Sequence, residues 1–153
     1  MTVFRAITCA ALALLLSSPS MAADDYIRDQ VERVKAADWA GMETITVSID
    51  EHNYTPSDLR FKAGKPYRLQ LRNVGKKDHY FTAETFFRAV AWRKAMVEKA
   101  AEVKAPYFSA FEILKGGGQV DLYFIPVTRG KYEVHCSIDD HKEQGMHGTM
   151  VIE

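Results

Sequence analysis

The chain is poor in the features that usually brace or anchor a small protein. It has two cysteines in 153 residues. One of them, Cys9, falls in an apolar leader, so the rest of the chain has a single thiol, Cys136, and no disulfide staple. No uncharged apolar run reaches the roughly 20 residues that cross a bilayer. Basic and acidic residues balance at 20 each, and no basic stripe of the kind that follows a phosphate backbone is present, which argues against nucleic-acid binding. Internal repeats, low-complexity tracts and interdomain linkers are also missing. What remains is one domain large enough to bury its own core.

The leader itself is informative. Arg5 precedes the uncharged stretch Ala6 to Leu16, and Ser20-Met21-Ala22 supplies small residues where a signal peptidase cuts. Residues 1–22 therefore read as a secretory signal peptide, cleaved after Ala22 or Ala23, and the mature protein is expected in the periplasm without a membrane span. Losing Arg5 leaves 19 basic against 20 acidic residues, a formal charge of −1.

Beyond the leader, the hydrophobic period changes along the chain. From Asp24 to Trp39, Ile27, Val31 and Val34 recur on one face of a charged background, which predicts an amphipathic helix in an N-terminal segment spanning 23–42. From residue 43 the pattern becomes alternation. Ile45, Val47 and Ile49 share one strand face, then Tyr67, Leu69 and Leu71 share another after the turn Lys62 to Pro66. Further strands are expected over 119–126, 131–136 and 149–152. Many short strands separated by turns predict a mainly β, antiparallel sandwich or small barrel over 43–153. Between the strand groups, about 84–104 is rich in Ala, Lys, Glu and Arg with interspersed apolar residues, and predicts a helical insertion that ends before Pro106.

The chemistry gathers near the end of the chain. In Tyr132-Glu-Val-His-Cys136, alternation puts Tyr132, Val134 and Cys136 on the core face and His135 on the other. A loop then carries His141, Gly145 and Met146. Thiolate, imidazole and thioether, with one upstream histidine, are the ligand set of a single copper ion in a trigonal His₂Cys site with a weak axial methionine. His79 follows the turn Asn73-Val-Gly75 and is the best-placed upstream donor. His52 lies in the turn after the first strand with its place open, and His147 competes with Met146 for the axial position. Zinc suits this set poorly because a thioether is a weak zinc ligand.

These residues resemble the cupredoxins, the small blue-copper proteins such as plastocyanin, azurin and rusticyanin. Asn73-x5-His79 is similar to their first ligand segment, and Cys136-x4-His141-x4-Met146 to their ligand loop, with spacing nearest that of rusticyanin. Tyr54-x-Pro56 and Phe61-Lys-Ala-Gly64 resemble the early strands of bacterial members. The likeness implies a Greek-key sandwich and one copper ion per chain. His79, Cys136 and His141 would be its equatorial ligands and Met146 the axial one. Tyr80 departs from the pattern, standing where plastocyanin and azurin carry an asparagine that ties the two ligand loops together.

The reading that follows is a monomeric periplasmic shuttle that passes single electrons between a donor and an acceptor protein. No nucleophile with an oxyanion hole is recognisable, so the protein is not expected to be an enzyme. Copper buffering, delivery or tolerance, with His52, His135 and His147 as accessory donors, is the alternative.

Overall fold

The computed structural model describes residues 26–153, so the expected signal peptide, 1–22, lies outside the described residues. The mainly β sandwich is borne out. Its strands are β1 (Glu43–Asp50), β2 (Asn53–Thr55), β3 (Asp58–Phe61), β4 (Tyr67–Asn73), β5 (His79–Thr82), β6 (Val90–Val97), β7 (Ala101–Val103), β8 (Ala110–Ile113), β9 (Gln119–Pro126), β10 (Gly130–His135) and β11 (His147–Ile152). One sheet has the order β2-β1-β4-β9-β6-β7 and the other β3-β11-β10-β5-β8. Most pairs are antiparallel, as expected, but β1–β4 and β3–β11 run parallel. Between β1 and β4 the chain passes through β3 in the opposite sheet, and so long a crossover is what a parallel pair requires.

The alternating residues do what their period requires. Val47, Ile49, Tyr67, Leu69, Leu71, Leu122, Phe124 and Val134 are all buried between the sheets. Phe124 is a hub for aromatic rings, with edge contacts to Phe61 and Phe86, each 5.5 Å between centroids. Such offset geometries add to the burial of area alone.

The helical insertion expected over 84–104 is corrected by the structure. Only Glu84–Arg88 is helical (α2); from Val90 the chain is strand, paired with β9 and then with β7. The composition favours helix, but the open edge of β9 offers a ladder of backbone partners, and that tertiary pairing overrides local propensity. A bulge between Trp92 and Lys94 breaks the alternation. Beyond Trp92 the next buried residue is therefore Ala95, three positions on, a spacing that imitates an apolar helix face. The two phenylalanines of α2, Phe86 and Phe87, are fully buried and plug the sandwich.

The N-terminal helix is shorter than predicted and docks differently. It covers Gln30–Ala36 (α1), followed by a 3₁₀ turn at Trp39–Gly41. Val31, expected on its packed face, is 74% exposed. The attachment is polar: the Gln30 side chain accepts from the Trp92 backbone N–H at 2.8 Å and donates to the Pro106 carbonyl at 2.7 Å.

One turn positions the first site residue. Buried Asn73 donates from Nδ2 to the carbonyls of Lys77 and Ile113 at 2.7 and 2.8 Å and accepts from the Gly75 N–H at 2.9 Å. From outside, the Glu51 carboxylate accepts from the backbone N–H groups of Lys76 and Lys77. It lies so close that a Cβ at Gly75 would stand 2.9 Å from its oxygens. Hydrogen bonding to Asp50 first, and to the Lys76 N–H next, lowers Glu51 from its ordinary 4.5 to about 2.

Phe86→Ala should destabilise the protein by about 3–5 kcal/mol, whereas Val31→Ala stays within about 0.5 kcal/mol, both read from urea unfolding. Equal effects would refute the packing described. A depressed carboxylate stabilises the fold above its unfolded pKa and loses that contribution as pH falls through the folded one. The stability difference between wild type and Glu51→Gln should therefore be constant above about pH 4.5 and vanish towards pH 2. A difference independent of pH would remove Glu51 from the turn's support.

Candidate metal centre

Three segments meet at one end of the sandwich. His79 opens β5, Cys136 follows the last residue of β10, and His141 comes from the loop between β10 and β11. Their donor atoms all lie within 4.8 Å of one another. Exposure is 0% for His79, 1% for Cys136 and 5% for His141. Met146, the fourth residue named from the sequence, is 0% exposed and shares the buried core with Cys136. His147 is exposed at the start of β11, opposite His135 in the β10–β11 ladder. Burial thus separates Met146 from its competitor.

The loop is closed by its own backbone. The Cys136 N–H donates to the Met146 carbonyl at 3.0 Å, and the Met146 N–H donates to the His141 carbonyl at 2.9 Å. The chain can reverse between them because Gly145 adopts φ +105°, open to glycine but strained for other residues. Thiol, imidazole and thioether are therefore held by a self-bonded turn.

Fixed donors surround the sulfur. The Tyr80 N–H points at Cys136 Sγ at 3.4 Å, and His141 Nδ1 lies 3.5 Å from it. Tyr80 is itself clamped, because the buried Tyr54 hydroxyl donates to the Tyr80 carbonyl. Burial, and secondarily the nearby Cys136 charge, raises the Tyr54 pKa, so it remains a donor. With Tyr80 in place of a tying asparagine after His79, the two segments are linked by a hydroxyl pair, Thr82 Oγ1 to Ser137 Oγ at 3.0 Å. Neither Tyr54 nor this pair was identifiable as part of the site from sequence. Both depend on β5 lying beside β10, a pairing without a local signature.

The histidines are not equivalent. Both ring nitrogens of His79 are buried without a hydrogen-bond partner. Burial first, and the His141 imidazole next, lower its pKa, favouring the neutral ring that a metal requires. His52, whose place the sequence left open, stacks a tilted ring on His141 with 4.7 Å between centroids, and its Nε2 is also buried without a partner. His135 lies on the face opposite Cys136, as alternation requires, with Nδ1 3.7 Å from Glu133. His135 Nδ1 is likewise without a hydrogen-bond partner, but on the outer face. The three orphaned nitrogens of His79 and His52 lie on the side of the buried thiol, and such groups are costly in a folded protein unless something else binds them. The donor set of nitrogen, sulfur and thioether suits a soft transition metal.

Comparison with known proteins agrees with this architecture. The chain superposes on a Na-dithionite reduced auracyanin from the photosynthetic bacterium Roseiflexus castenholzii at TM-score 0.52 and 16% identity, over 72% of this chain and 96% of that one. It also superposes on a multicopper oxidase from Campylobacter jejuni at 0.51 and 15%, over 72% of this chain and 30% of that one. A third match, a multi-copper oxidase from Pseudomonas thermotolerans, gives 0.55 and 16%, over 76% and 31%. The chain thus spans about a third of the oxidases and nearly all of the auracyanin. At these identities the likeness is one of fold. No curated protein sequence matches the chain. The family model of the cupredoxin-like domain matches residues 6–152, and the chain belongs to that family.

Proposed function

We propose that the protein is a periplasmic, mononuclear type 1 copper protein that carries single electrons between redox partners. The observation that carries this reading is the convergence of His79, Cys136 and His141 within 4.8 Å, with both His79 nitrogens unpaired. His79, Cys136 and His141 would hold the ion and Met146 would cap it. Copper bound there would supply one-electron Cu(II)/Cu(I) chemistry.

The chain's own residues favour a carrier. The ligand loop is fixed by backbone hydrogen bonds at both ends, so its donors keep their places when the charge changes. The Tyr80 N–H at the sulfur withdraws electron density from a thiolate and so tunes the potential. Burial of all four residues opposes exchange of the ion, which weighs against buffering or delivery. Asp139, Asp140 and Glu143 are exposed on the loop, so encounter with a partner would be steered by charge and sensitive to salt. Among the described residues no helix is long and apolar enough to cross a membrane.

Titration of the metal-free protein with Cu(II) should produce an intense visible band that saturates at one equivalent, bleaches with reductant and returns on oxidation. Cys136→Ser should abolish the band with the β fold intact by circular dichroism; a band that survives would exclude the thiolate. Met146→Leu should retain the band and raise the reduction potential, because removing a weak donor and drying the site disfavours the more highly charged ion. An unchanged potential would point to His147 or a backbone oxygen instead.

A further inference from the structure

We propose that His52 is the loading ligand of this centre: with His141 it takes an incoming copper ion and releases it inward to Cys136. The proposal rests on the copper reading above. Three observations at this residue carry it. Its ring is 4.7 Å from that of His141, closer than the 5.3 Å between His79 and His141, which already share the cluster. Its Nε2 is buried without a hydrogen-bond partner. Its backbone is left-handed at φ +59°, a conformation that non-glycine residues keep only where the surroundings impose it.

His52 is not one of the three residues whose donor atoms converge. It is half-buried, in the turn between β1 and β2, with its ring against that of His141. Two imidazoles this close suit a copper ion before the thiolate is engaged. His135 and His147 also stand opposite each other, across β10–β11, but on the face away from Cys136, where an ion could not be passed to the thiol. Loading is then ligand exchange without change of oxidation state. His52 Nε2, brought to the surface by a turn of its ring, would first replace a water on the ion. The Cys136 thiol next loses its proton to solvent, and its sulfur bonds to the ion as the bond to His52 breaks. His79 completes the set, and His52 is left outside it.

Two variants separate a nitrogen donor from a packed ring. His52→Phe keeps an aromatic ring on His141 without the donor, and His52→Asn suits the left-handed backbone without the ring. Metal-free proteins are mixed with Cu(II) in a stopped-flow instrument and the thiolate-to-copper band is followed. Both variants should reach the wild-type band in position and intensity, but about tenfold or more slowly. The metal-free His52→Asn protein should melt no lower than wild type. Loading of His52→Phe at the wild-type rate would overturn the proposal and leave His52 as packing. A displaced final band would overturn it by making His52 a permanent ligand. A wild-type protein with no band at all overturns the copper reading and this proposal together, an outcome distinct from the other two.

Discussion

The site depends on one register in the second sheet, His135 of β10 opposite Thr82 of β5. That pairing puts the end of β10 beside the end of β5, so the residues after His135 run back along β5 towards His79. The Tyr80 N–H thereby meets the Cys136 sulfur, and Thr82 meets Ser137 across the gap. Because side chains alternate with period 2, a slip of one residue would turn Cys136 to the outer face and bring His135 inward. The register is protected by packing: Phe81 and Val134 are fully buried on the face that Cys136 shares, and neither tolerates a move to solvent.

Around that register the molecule divides its labour. The aromatic cluster of Phe61, Phe86, Phe87 and Phe124 fills the sandwich and keeps the two sheets at a fixed separation. Polar groups with complete hydrogen-bond sets build the turn ahead of His79, with Asn73 from inside and Glu51 from outside. The ligand loop closes on its own backbone. Rigid surroundings of this kind allow a few side chains to stay chemically unsatisfied, as the nitrogens of His79 and His52 are. Such local conflicts are expected at functional positions, where stability is given up for binding.

Much of this was legible in the residues. Period-2 alternation locates β1, β4 and β10, since a strand buried on one face has to alternate, whereas β9 reads as a continuous apolar run because it is buried on both faces. The same rule oriented Cys136 inward and His135 outward. After α2 the composition and a bulge between Trp92 and Lys94 disguise strand as helix, and only the pairing with β9 decides between them. In the N-terminal segment Val31 matched an apolar face, yet the polar grip of Gln30 on Trp92 and Pro106 sets the docking instead. No local rule anticipates a contact 62 or 76 residues away.

The sequence by itself determined the chemical inventory and its neighbours within the loop: one thiol, His141 five residues on and Met146 after a glycine, since those spacings are covalent. Only the tertiary structure decided that His79 joins them, that Tyr54 and Tyr80 serve the sulfur, that Met146 rather than His147 is buried, and that His52 lies on His141. Each of these depends on which strands become neighbours. That choice is made by burial of the whole aromatic core, a property of the chain as a unit that no short stretch of it contains.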